Sequence, residues 1–306
     1  MFGLRADGVR LKGIDPIQRI IPHIMTRRYD AQNMSSYDCR CEPFDAFMQA
    51  ERDKGFNFNY MHIIIAGLAR IIALYPRLNR FVINGRIFKR NDIYISFVVK
   101  KGLSATAPDS LVKLKFTGHE TIYEVKEKID NAILENAKME SNNGTDKLAR
   151  LITLTPNCLI KLLVGLIKLL DRHGLLPMAI LNLSPFHTSG FVTNLKSIKG
   201  PSIYHHLYDF GTTGIFFAMG KENKVPVVQD GQIVVGKVMP VDIVLDERFC
   251  DGFYFVNALN DLKRMYENPA LLTTPLEELP EDVEVYDHGS RRSRKKAKKE
   301  AEKANQ

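Results

Sequence analysis

The chain has 306 residues and a mass of 34.8 kDa, with 45% hydrophobic and 25% charged residues, which excludes a disordered or fibrous protein and leaves room for one large domain or two smaller ones. The net charge is +8, but residues 288–306 hold eight Lys and Arg against two Glu, so most of the excess sits in this tail and the body is close to neutral. Such a tail, with no aromatics and no apolar stripe, cannot repay its ordering entropy and is expected to be disordered, either as a solubilising appendage or as a contact for an acidic partner. Four cysteines (Cys39, Cys41, Cys158, Cys250) without a CxxC pair indicate neither a disulfide framework nor a zinc site, and the scattered histidines suggest no metal. The N-terminus lacks the apolar run of a secretory signal, and no run of about 18 apolar residues suggests a membrane span, so a cytoplasmic setting is expected and membrane or nucleic-acid contact is disfavoured.

In chain order, Pro43 opens a short helix over 43–54 with Phe44, Phe47 and Met48 on one side. Residues 60–75 form a strongly apolar helix stopped by Pro76, which must be buried on most of its circumference. Asn84 and Gly85 then lie between two β-rich runs, the preferred chemistry of a type I′ hairpin, and a strand follows at 92–99. Ile122, Val125, Ile129 and Ile133 recur at helical spacing, predicting an amphipathic helix over 121–138 that packs on a sheet. The block CLIKLLVGLIKLL at 158–170 carries only Lys161 and Lys168, on one narrow face, and is too short to span a bilayer. A buried core helix or an oligomer contact is expected there, with an acyl-chain contact or in-plane membrane binding as alternatives. Beyond it the sequence is β-rich, Asp230 and Gly231 make a second hairpin turn, and a last helix runs over 253–267. The reading is an N-terminal arm (1–19), one α/β domain (20–272) with a helical insert (140–182), and an acidic then basic tail (273–306).

The segment VDIVLDERFCDGFYFVNALNDLKRMYENP, residues 241–269, resembles the C-terminal signature of the catalytic domain of the dihydrolipoamide acyltransferases of 2-oxo-acid dehydrogenase complexes: strand, DHRxxDG, helix, ENP. Chloramphenicol acetyltransferase has a related HxxxDG motif. Other segments agree in order: YPRLNRFVINGRIFKRNDIYISFVV, FVTNLKSI and GIFFAMGKENKVPVVQDGQIVVGKVMPVDIVLDE. The resemblance, over about residues 20–272, implies a two-layer mixed-sheet α/β fold of the chloramphenicol acetyltransferase-like, CoA-dependent acyltransferase class. It implies a homotrimer with active sites between subunits and acyl transfer between coenzyme A, supplied as acyl-CoA or another small thioester, and a thiol acceptor. A lipoyl thioester from another protein is an alternative donor. The family's lipoyl domain has no counterpart here, so no covalent lipoyl group is expected on this chain.

That chemistry needs a base for the attacking thiol and a donor facing the oxyanion. The family's base is the His of HxxxDG, and here that position is Glu247. A free Glu is about four units more acidic than a thiol, so Glu247 acts as the base only if burial or a neighbour such as Asp246 raises it; otherwise it is an ionised carboxylate paired with Arg248 or another Arg. Two outcomes stay open: an active enzyme, or a catalytically silent scaffold. By the resemblance, Thr193 takes the oxyanion position and Asp251 holds the motif loop through an Arg, with Arg27 or Arg28 as partner. Gly252 permits the turn into the last helix, Asn79 is structural, and Ser189 and Asn194 lie where substrate binds. His205 and His206 fail the HHxxxDG spacing of condensation domains; they are read as a loop near the subunit interface and as alternative bases, with His187 a weaker one.

Overall fold

The computed structural model describes residues 5–100, 109–138 and 156–282; the basic tail and residues 140–155 of the insert lie outside them. The central element is α3 (Tyr60–Leu74), whose N-terminus is closed by a reciprocal cap: the Asn59 side chain accepts from the His62 N–H and the His62 ring accepts from the Asn59 N–H. With residues 62–73 all buried, its apolar circumference is explained by its position. It packs with α2 (Glu42–Asp53), α4 (Ile122–Lys138) and α7 (Gly252–Glu267) on one face of the main sheet, where Leu68, Ile71, Phe255 and Leu262 meet Ile215, Phe217, Ile243 and Leu245.

That sheet runs β2 (Gln32–Arg40), β10 (Gln232–Asp246), β8 (Ile215–Met219), β7 (Gly190–Asn194), β5 (Ile93–Lys100), β6 (Asp109–Phe116), with β9 (Asn223–Gln229) paired to the start of β10. β5–β7 and β7–β8 are parallel and the other pairs antiparallel, so the sheet is mixed. A separate three-stranded sheet joins β1 (Gly8–Arg10), β4 (Arg86–Arg90) and β3 (Arg80–Ile83). Both hairpin turns form as the sequence dictates: Asn84 and Gly85 have φ of 50° and 67°, Asp230 and Gly231 50° and 76°, the left-handed pair a type I′ turn requires. The second face of the main sheet is covered more thinly, by Leu207 and Tyr208 over Phe191, Phe216 and Val244.

One expectation is overturned. The apolar block lies in α5 (Asn157–His173), of which Asp171 alone is buried; Leu162, Leu166 and Leu169 face solvent, so it is no core helix in the single chain. The cause is polar anchoring. Asp171 is drawn into the body by Arg5 (2.9 Å) and His187 (3.2 Å), and Arg172 donates to the Asn84 side chain (2.8 Å). With Asp171 turned inward and Ile160, Ile167 and Leu170 partly covered beside it, the other leucines are left outside. After α5 comes the single turn and a half of α6 (Met178–Leu183).

Candidate active site

β10 carries the motif to its end at Asp246, a fully buried carboxylate. Two guanidinium groups grip it: Arg248 with Nε at 2.8 Å and an amino nitrogen at 2.7 Å, and Arg28 with Nε at 3.2 Å. Arg28 also donates to the carbonyls of Tyr208 (2.5 Å) and Val82 (3.3 Å), and the Arg248 N–H donates to Asp246 at 3.2 Å. Two nearly solvent-free cations therefore share one anion; burial pushes the Arg28 guanidinium below its usual value and Arg248 adds to this, against the pull of Asp246.

This clamp fixes the turn that follows. The Glu247 N–H donates to the Ala31 carbonyl (2.9 Å), and its side chain emerges exposed, in no ion pair among the described residues. Within the chain Glu247 is not buried, Asp246 is committed to Arg28 and Arg248, and the Glu247–Arg248 pair does not form. Asp251 also differs from expectation. Arg28 is occupied by Asp246, so Asp251 instead caps α7, accepting from the Tyr254 N–H at 2.9 Å, with Arg77 at 3.7 Å. Arg27 stays exposed, its guanidinium 5.6 Å from the Tyr29 ring centroid. Gly252 begins α7 without a positive φ and with open space where a Cβ would be, so the turn itself does not demand glycine.

Thr193 is half-buried on β7, level with Ala218 and, through it, Asp242 on β10. Glu247 is five residues further along that strand, so the two lie roughly 16 Å apart along the sheet and about 10 Å across it. One chain cannot bring them to a common substrate atom. Ser189 precedes β7 and is spent internally: its hydroxyl donates to the Asn79 side chain (2.6 Å) and accepts from the Tyr94 N–H (3.0 Å), while Asn79 donates to the Asp92 carbonyl (3.2 Å). Asn194 caps the one-turn helix 195–198, accepting from the Ser197 N–H at 3.1 Å.

The histidines separate. His187 is buried, with Nδ1 2.7 Å from the Ser184 hydroxyl and Nε2 beside Asp171, and burial lowers its pKa against the pull of that carboxylate. His206 is exposed. His205 lies flat on Phe216 (centroids 4.0 Å apart, planes at 5°), and its Nδ1–H donates to the His206 carbonyl (2.8 Å), which leaves Nε2 as the lone-pair nitrogen of the neutral ring. Burial lowers its pKa and so favours that neutral form. Phe216 pairs in register with Phe191, and Thr193 is two residues further on the same face, so His205 and Thr193 share the second face of the sheet. Spacing alone gave no sign of this; it depends on the 203–213 loop folding back over β8.

Nothing in the sequence marks the cleft beside this clamp. It encloses about 530 Å³ between the end of α1 (Pro16–Ile24), the β3–β4 hairpin, α5 and the loop at Asp209–Gly211, with Arg28 and Arg248 in its wall. Its cations come from segments far apart in sequence, which no local motif links. Among the described residues no cluster of His, Cys, Asp and Glu has the geometry to hold a metal ion.

Residues 212–274 match the family described as 2-oxoacid dehydrogenases acyltransferase (catalytic domain). Over 54 residues the chain is 39% identical to the dihydrolipoyllysine-residue acetyltransferase component of pyruvate dehydrogenase complex of Staphylococcus aureus, a stretch that covers 18% of this chain and 13% of that protein. The corresponding Staphylococcus epidermidis protein matches equally, over 12% of its length. A probable dihydrolipoamide acetyltransferase from Listeria monocytogenes 4b F2365 superposes with a TM-score of 0.53 at 14% identity, covering 83% of this chain and 92% of that one. Chloramphenicol acetyltransferase gives 0.51 at 9% identity, covering 85% and 99%. At such identities these two establish the fold. The chain therefore has this fold over most of its length and matches the 2-oxoacid dehydrogenases acyltransferase catalytic-domain family across its motif strand and last helix.

Proposed function

We propose that this protein transfers an acyl group between coenzyme A and a thiol acceptor, in a homotrimer whose active sites are shared between neighbouring copies. The observation that carries the reading is the separation of the two motif halves. Glu247 is held outward at a rigid turn, and Thr193 lies on the second sheet face roughly 16 Å away along the strand, so a neighbouring copy is needed to unite them. In that arrangement the Thr193 hydroxyl donates to the oxyanion of the tetrahedral intermediate. The attacking acceptor thiol gives its proton to Glu247 of the adjacent copy, desolvated by the contact, or to Nε2 of His205 on the same sheet face; collapse of the intermediate breaks the acyl–sulfur bond to coenzyme A, whose thiolate takes that proton back. Asp246, Arg28 and Arg248 act as positioning residues that fix the turn. The assembly described for one solved relative, the cubic core of the pyruvate dehydrogenase multienzyme complex (TM-score 0.53, 11% identity, covering 83% of this chain and 90% of that one), supports a multi-copy arrangement.

The test is subunit complementation. Thiol-dependent release of coenzyme A from acetyl-CoA is measured for wild type, Glu247→Gln, Thr193→Ala and the two variants co-assembled. Each variant alone is expected to lose at least about a hundredfold in kcat, the usual scale for removing a base or an oxyanion donor, and the mixture to regain a measurable fraction. Full activity in Glu247→Gln together with loss in His205→Gln moves the base role to His205. A wild-type protein that binds no acetyl-CoA leaves the second reading, a silent scaffold of the same fold, which the exposure of Glu247 in the single chain favours.

A further inference from the structure

The 530 Å³ cleft beside the clamp is lined by Arg27, Arg28, Lys168, Arg172 and Arg248 against two carboxylates, Asp171 and Asp209. The carboxylates are engaged: Asp171 with Arg5 and His187, Asp209 with the Arg28 backbone N–H (2.9 Å). The cations are not all matched. Arg28 and Arg248 have the single Asp246 between them, which leaves positive charge at the buried wall. Among the described residues Arg27 and Lys168 meet no carboxylate, and Arg172 has only its Nε bonded, to the Asn84 amide oxygen. Arg172 in the last turn of α5 also complements the helix dipole, which accounts for one of these cations and leaves the rest. Lys168 and Arg172 are one turn apart on the same face, so both are presented to one ligand.

We infer that this cleft is a binding site for a phosphoryl anion. A cavity of this volume is ordinary for a small ligand, and a forked arrangement of Arg with a Lys is the chemistry that recognises phosphate oxygens. An anion there offsets the buried positive charge that Asp246 alone leaves. The site is separate from the reacting groups and does not depend on Glu247 or Thr193 acting in catalysis. Its phosphoryl group comes either from a nucleotide or from inorganic diphosphate.

Isothermal titration of the full chain with inorganic diphosphate, and separately with adenosine 3′,5′-bisphosphate, tests this at two salt concentrations. Saturable binding that weakens with salt is expected for at least one probe, with Lys168→Ala, Arg172→Ala and Arg27→Ala each weakening it about five- to tenfold, the scale of one charge-assisted contact. Tighter binding of the bisphosphate assigns a nucleotide, and equal or tighter binding of diphosphate assigns the inorganic anion. These three residues are exposed, so unfolding midpoints near wild type are expected, and Lys263→Ala, a cation distant from the cleft, serves as control. Failure of wild type to bind either probe at millimolar concentration, binding unaltered in all three variants, or an equal loss in Lys263→Ala overturns the proposal. Glu247→Gln is expected to bind diphosphate as wild type does, so failure of the transfer reaction and failure of this site are read separately.

Discussion

The two neighbouring acids of the motif, Asp246 and Glu247, have opposite physical situations. Removing the Asp246 charge, as in Asp246→Asn, leaves two buried guanidinium groups unmatched and is expected to cost about 3–5 kcal/mol in urea unfolding. The same change at exposed Glu247 is expected to stay within about 0.5 kcal/mol, so its loss of activity will not be a loss of fold. Buried histidines set the acid limit. Burial lowers the pKa of His62, His187 and His205 below the ordinary 6.5, outweighing Asp130 at the first and Asp171 at the second. The unfolded chain then binds more protons than the folded one, so stability is full above about 6.5 and falls as pH drops from there through the folded values. Glu120 adds a second step. Burial raises its pKa, but Lys128 and the N–H groups of Thr117 and Gly118 outweigh that and hold it at about 2, so its contribution is lost between the ordinary 4.5 and about 2. Melting temperature measured from pH 8 to 3 checks both; no decline between pH 7 and 5 contradicts the histidine part.

At the scale of elements, α3 and α5 show two outcomes of similarly apolar sequence. α3 is enclosed by α4, α7 and the sheet, and at Gly67 a Cβ would run into the Tyr266 ring, whose hydroxyl donates to the Ile64 carbonyl (3.0 Å). Gly67→Ala is therefore expected to destabilise by about 1–3 kcal/mol despite alanine's better helix propensity, as denaturant titration can show. In α5 the outward leucines make little contact within the chain, and Leu162→Gln is expected to shift chain stability by no more than about 0.5 kcal/mol. A larger loss shows that another copy covers this face. The helical spacing of α5 was legible in the sequence; its orientation was not, because it follows from Asp171 meeting Arg5 and His187.

For the whole molecule, the second sheet face carries Thr193, Phe191 and Phe216, beneath a loop that supplies His205. The turn with Glu247 lies at the far end of β10. A homotrimer predicts a sedimenting mass close to three times the 34.8 kDa of the chain, and a monomer at working concentration removes the shared-site mechanism. Salt is expected to act at the phosphoryl cleft more than on assembly, because three of the cleft's cations, Arg27, Lys168 and Arg172, are exposed and screened.

The sequence by itself determined the pieces whose physics is local. The Asn84–Gly85 and Asp230–Gly231 turns follow from their left-handed backbone preference, the helices from apolar spacing and the prolines beyond them, and the motif order from the residues themselves. The tertiary structure decided which charges meet. Arg28 reaches Asp246 across 218 positions of chain, Asp251 is left to cap α7, Glu247 is turned to solvent, and Arg27, Lys168 and Arg172 converge on one cleft. Ion pairing is decided by through-space distance and burial, neither of which spacing along the chain encodes, whereas turns and helices are decided by neighbours only a few residues apart.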